Sequence, residues 1–140
     1  MGPALDAMLD VGCGTGILSI GANRLGVPTV VGVDCDPDAV RIAIENADIN
    51  GVGVACDFST TPIEAVVERF PLVVANIMAA PLIAMAADVA ASVASGGRLL
   101  LSGILWHQAD DVREAYGREN VEFVRQIQDG EWVLIEFERA

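Results

Sequence analysis

Leu9-Asp10-Val11-Gly12-Cys13-Gly14-Thr15-Gly16 is the stretch on which the fold turns. An apolar run, Ala7 to Val11, passes into three alternating glycines and then into a segment where Leu18, Gly21, Ala22 and Leu25 share one helical face. Glycines let the backbone bend sharply with no Cβ in the way, and a strand entering a helix through such a bend opens a βαβ unit. Outward from it the same alternation repeats. Thr29 to Asp34, Val52 to Cys56, Leu72 to Ala75 and Arg98 to Ile104 are apolar nearly throughout, as parallel strands covered on both faces are. Val40, Ala43, Ile44 and Ala47 share a helical face, as do Leu82, Met85, Val89 and Val93. Asp36 before Pro37 reads as a helix cap, and Thr61-Pro62 with Glu64 as a capping box for a short third helix. Pro81 reads as the opening of the fourth helix and Gly96-Gly97 as its close. Val121 to Ile127 and Trp132 to Glu138 flank Asp129-Gly130, a hairpin signal. The sequence therefore predicts an α/β fold in one domain over residues 1–140: a doubly wound, mostly parallel seven-stranded sheet with an antiparallel C-terminal hairpin.

Composition narrows the function classes. Hydrophobic residues make up 53% of the 140, enough for a packed core and too many for a disordered chain. Eight basic against twenty acidic residues give a net charge of −12, and every basic residue is Arg. Phosphate neutralisation needs clustered positive charge, so the balance argues against a general nucleic-acid binder and suits solubility or a basic partner. Three cysteines without a C-x-x-C pair or a His cluster predict neither a disulfide framework nor a metal site. A reducing, cytoplasmic setting is the expectation, with no signal peptide. Leu72 to Ala94 is interrupted by Asn76, Pro81 and Asp88 and reads as a buried strand and helix, not a membrane span.

The glycine loop has two candidate ligands, a dinucleotide and S-adenosylmethionine. The dinucleotide pattern G-x-G-x-x-G/A needs a small residue where Ile17 stands. A pyrophosphate at the following helix N-terminus would also be repelled by Asp10, which suits a cationic or amine-bearing ligand. An acid followed by G-x-G-x-G resembles the first motif of class I S-adenosylmethionine-dependent methyltransferases. This makes Asp10, Gly12, Cys13, Gly14 and Gly16 candidate cofactor contacts, Cys13 through its backbone. Asp34, ending the second strand, is placed to accept hydrogen bonds from both ribose hydroxyls. Asp57, read as lying just beyond the third strand, is the candidate acceptor for the adenine amino group. Asn76 breaks an apolar run at the end of the fourth strand, beside the switch point where ligands collect. Its amide oxygen is a candidate acceptor for an incoming amine. His107 reads as a solvated loop residue and Trp132 as a residue packed within the last strand.

Three stretches carry a narrower resemblance: Leu9 to Gly16, Val74-Ala75-Asn76-Ile77-Met78-Ala79-Ala80-Pro81-Leu82, and Gly97-Arg98-Leu99-Leu100-Leu101-Ser102-Gly103-Ile104-Leu105. Gly130-Glu131-Trp132-Val133 adds to it. Together they resemble the PrmA family, methyltransferases that modify large-subunit ribosomal protein eleven. The resemblance implies a Rossmann-like class I methyltransferase fold, S-adenosyl-L-methionine as methyl donor, and Lys side-chain or N-terminal amines of a basic ribosomal protein as acceptors. It sets Asn76, the one candidate catalytic residue, at the junction of cofactor and acceptor. It also implies a separate N-terminal substrate-recognition domain, which the chain is expected to lack.

Other readings stay open from sequence alone. One is a related methyltransferase with another protein or small-molecule acceptor. Another is a non-catalytic S-adenosylmethionine-binding module that self-associates through exposed sheet or helix surface. A nucleotide-dependent dehydrogenase is opposed by Ile17.

Overall fold

The computed structural model describes residues 5–140. Seven strands form one sheet: β1 Ala7–Val11, β2 Thr29–Val33, β3 Cys56–Ser59, β4 Phe70–Asn76, β5 Val93–Leu105, β6 Glu122–Asp129 and β7 Trp132–Glu138. Their order is β3-β2-β1-β4-β5-β7-β6. β1 to β5 run parallel, and β7 runs against both β5 and β6. This is the doubly wound sheet with a C-terminal hairpin expected from the alternating pattern. The chain winds outward from β1 through β2 to β3, then returns to build β4 and β5 on the other side, so the switch point lies between β1 and β4.

Period-two alternation splits the core in two. Met8, Val30, Cys56 and Phe58 point to one face, under α1 (Ile17–Arg24) and α2 (Pro37–Ile49). Leu9, Val73, Leu99 and Ile135 point to the other, with α3 (Ala79–Ala84), α4 (Ala86–Ala91) and α5 (Ala109–Gly117). Tyr116 of α5 is fully buried and donates its hydroxyl to the Leu82 carbonyl at 2.8 Å, tying α5 to α3. Asp36 caps α2 as expected, accepting from the Asp38 amide at 2.9 Å.

Four boundaries differ from the sequence reading. The third strand is Cys56–Ser59, not Val52 to Cys56. Gly51 turns left-handed after α2, the Ala55 and Cys56 amides both donate to the Val52 carbonyl, and Val54 is fully exposed, so these residues form a turn. The fourth helix is broken at Met85 into α3 and α4, with Pro81 inside the first turn of α3. β5 already begins at Val93, so Gly96-Gly97 serve the strand instead of closing a helix. A Cβ on Gly97 would stand 2.8 Å from the Ala94 carbonyl oxygen and 3.1 Å from that of Pro71. Thr61 caps nothing: the short third element is a 3-10 turn at Ile63–Ala65 entered from Pro62, and the Thr61 hydroxyl instead accepts from Ser59 at 2.9 Å. No helix among the described residues is long and apolar enough to cross a membrane.

Candidate functional site

The glycine loop leaves β1 at the switch point. Gly12, Gly14 and Gly16 have φ of +72°, +54° and +86°, the left-handed region. The Gly12 and Cys13 amides both donate to the Val33 carbonyl, at 2.8 and 3.0 Å, pinning the loop to the end of β2. Each glycine then serves a different space. A Cβ on Gly12 would collide with the Ile77 side chain, and one on Gly16 would press against Phe58 and Ala43, where α1 meets α2. In front of Gly14 there is nothing within 4 Å, so the loop backbone lies open to a ligand there.

Asp34 stands opposite. Its two carboxylate oxygens accept from the Gly14 and Asp36 amides, both at 2.9 Å, which fixes the carboxylate plane beside the loop. Each oxygen keeps a lone pair for a further donor. Gly12, Val33 and Asp34 floor a crevice of about 560 Å³, with Thr60 to Ile63 on one side and Ile77 and Met85 on the other. A largely apolar crevice with the Asp34 carboxylate held in place, and Glu64 also on its lining, is the shape of a small-molecule site.

Asp10 lies beneath the loop, not in the crevice wall. It is 1% exposed and accepts from the Ser19 hydroxyl at 2.7 Å, while Oδ1 has no partner. Burial, and next to it the Asp34 charge, push its carboxyl above the ordinary range, against the pull of the Ser19 hydrogen bonds. The Cys13 thiol is pushed up to about 12 by burial and by the charges of Asp10 and Asp34. It is therefore protonated at neutral pH and no nucleophile.

Asn76 closes β4 on the far side of Ile77. It lines not the crevice but a second, open cavity of about 440 Å³, together with Ser102, Ile127, Asp129 and Trp132. Gly103, at φ +80°, lets β5 pass close by: a Cβ there would stand 2.9 Å from both Asn76 Oδ1 and the Ile77 carbonyl oxygen. The end of β4 thus divides the two spaces, Ile77 facing one and Asn76 the other.

Two sequence readings change here, those of Asp57 and Trp132, and that of His107 as a solvated residue holds. Asp57 is the second residue of β3, exposed and outside the crevice, because the strand starts later than expected. The position just beyond β3 is Thr60, so the adenine contact read for Asp57 has no geometric support. Trp132 is 55% exposed and lines the second cavity instead of packing within the sheet. His107 sits exposed in the 3-10 turn Trp106–Gln108, edge-on to Trp106, and lines neither space. Sequence reasoning missed the Thr60 to Ile63 wall, whose Thr61-Pro62 it read only as a helix start, and Met85, which it read only as part of a helical face. It also missed Ser19, whose only mark is a hydroxyl in an apolar helical run.

The family model for ribosomal protein L11 methyltransferase (PrmA) matches residues 3–140. The chain belongs to the PrmA family. A ribosomal protein L11 methyltransferase of Geobacter sulfurreducens is 50% identical over 127 residues, which cover 91% of this chain and 42% of the relative. One from Ectopseudomonas mendocina is 44% identical over 128 residues, 91% of this chain and 44% of its own length. The chain thus spans less than half the length of these PrmA relatives. Among solved structures, the ribosomal protein L11 methylase of Lactobacillus delbrueckii subsp. bulgaricus superposes with a TM-score of 0.89 at 28% identity, over 95% of this chain and 69% of that one. The magnesium protoporphyrin IX methyltransferase of Synechocystis PCC 6803, solved with bound S-adenosylmethionine, shares the fold at a TM-score of 0.76 and 21% identity, over 95% of this chain and 69% of that one.

Proposed function

We propose that residues 1–140 form the catalytic domain of an S-adenosylmethionine-dependent protein methyltransferase. It transfers methyl groups to Lys side-chain or N-terminal amines of ribosomal protein L11 in the cytoplasm. One observation carries this reading: a nucleoside-sized crevice with a held carboxylate lies on one side of the end of β4, and a cavity lined by the Asn76 amide lies on the other. Asp34 suits a ribose diol, the open backbone at Gly14 suits close approach, and the apolar wall at Ile63 and Met85 suits an adenine ring. When bound, S-adenosylmethionine supplies an activated methyl group on a sulfonium.

The chain's own residues have then to hold the acceptor. A free Lys is charged near pH 7 and must arrive neutral to attack. Asp129 at the cavity rim draws the ammonium in, and the Trp132, Ile127 and Leu134 surfaces strip water from it, which favours the neutral amine. Asn76 Oδ1 accepts from an N–H of the amine and turns its lone pair towards the crevice across the end of β4. The ammonium's proton passes to solvent at the open mouth of the cavity before transfer, so no side chain is required as general base, and positioning supplies most of the rate.

The test is incubation with labelled S-adenosylmethionine and unmodified L11. Asn76→Ala is expected to lower methyl transfer about a hundredfold while leaving cofactor affinity within about twofold. Equal loss in both contradicts the assigned role. The competing reading is a cofactor-binding module without transfer. Binding of S-adenosylmethionine with no transfer to L11 would establish it.

A further inference from the structure

Under the glycine loop lies a buried acid that the transfer chemistry does not use. Asp10 shares a sheet face with Met8 and is flanked by Gly32 of β2 and Val74 of β4. Neither neighbour offers a hydrogen bond from its side chain. From α1 above, Ser19, itself 0% exposed, donates to Oδ2 at 2.7 Å, and Oδ1 is left buried without a partner. The titratable groups around it are Asp34 at the end of β2 and Cys13 in the loop, the first an acid and the second a protonated thiol. β4 contributes no charge there. The ion pairs among the described residues lie elsewhere, on Glu45, Glu114, Glu136 and Glu138, so no cation balances Asp10.

A buried carboxylate with one free oxygen, one hydroxyl donor and no cation nearby is costly, and a carboxylic acid there costs much less. A ligand bearing positive charge reverses that balance. S-adenosylmethionine carries an ammonium, a carboxylate and a sulfonium, a net charge of plus one, and its demethylated product is neutral overall.

We propose that Asp10 holds a proton in the ligand-free protein and releases it when the crevice takes up the cationic nucleoside, with Ser19 as the positioning residue that holds the carboxyl for the exchange. The carboxyl O–H bond breaks, the proton goes to the buffer, and the carboxylate left behind offsets the new charge from beneath the glycine loop. No bond to the ligand forms. The proposal rests on the crevice being the S-adenosylmethionine site.

Titration calorimetry of the whole chain tests it, run mildly acidic in two buffers of different ionisation enthalpy. S-adenosylmethionine is expected to release up to about one proton per site, with affinity rising up to about tenfold per pH unit through the window. S-adenosylhomocysteine is expected to release less. Asp10→Asn should abolish both the buffer dependence and the pH dependence. Ser19→Ala removes a hydrogen bond that favours the ionised form, so its affinity–pH curve should move to higher pH, and Ser19→Thr should bring it back. Binding of S-adenosylmethionine without buffer dependence in the unaltered chain overturns the proton exchange and leaves the crevice reading standing. An Asp10→Asn variant that keeps the proton release overturns the assignment to Asp10. No binding heat at all overturns the crevice reading and this proposal with it.

Discussion

At the residue scale the loop glycines are distinguished by what stands in front of them. Gly12 and Gly14 both have positive φ, but a Cβ on Gly12 collides with Ile77 and one on Gly14 meets open space. Gly14→Ala is therefore expected to cost only the left-handed penalty, about 1 kcal/mol. Gly12→Ala adds overpacking to it, for about 2–4 kcal/mol in all. Urea denaturation of the two variants checks the difference, and equal losses would contradict it. The loop and Asp34 were legible in sequence, because alternating glycines after an apolar run dictate the bend and a carboxylate ending the next strand falls beside it; the Thr60 to Ile63 wall and Met85 were not. Asp57 was misread because the face a strand residue takes depends on where the strand starts. Gly51, Gly53 and an exposed Val54 postpone that start. Ser19 was hidden because a hydroxyl in a helix bonds to a partner nine residues away that only the fold brings near.

At the scale of elements, strand–helix alternation gave the right order, and helix periodicity gave the buried face of α2 through Val40, Ala43 and Ala47, but not that of α1, where Leu18 and Leu25 are exposed and Ser19 and Ile20 are buried. What it lacked was interruption and the last helix. The break at Met85 has no proline or glycine to announce it. α5 carries two acids in its first turn and little apolar surface beyond Ala109, Val112 and Tyr116. Those few residues are nonetheless buried, and the Tyr116 hydroxyl satisfies a carbonyl of α3. Tyr116→Phe should destabilise the fold by about 1–2 kcal/mol, because the Leu82 carbonyl keeps its burial and loses its donor. Chemical denaturation reads that loss, and an unchanged midpoint would show that α5 is held by packing alone.

At the scale of the molecule, a charge of −12 repels itself, and the hairpin end of the sheet offsets part of this locally. Burial alone would raise the Glu136 carboxyl, but hydrogen bonds from Arg125 and Arg98, with their charges, outweigh it and hold it below the ordinary range. A carboxyl lower in the folded than the unfolded chain stabilises the fold above its unfolded value, and that gain is lost as pH falls through the folded one. Thermal melting should thus show Tm dropping as pH is lowered below the ordinary glutamate range. Glu136→Gln should lower Tm at neutral pH and flatten that dependence. The central claim concerns where the sheet's switch point puts a ligand, and a crystal structure with S-adenosylhomocysteine tests it most directly. The account predicts the ribose on Asp34 and the nucleoside between the Gly12 to Gly16 loop and Met85. A nucleoside lodged in the Asn76 and Trp132 cavity, or none in the crevice at saturating concentration, would contradict it.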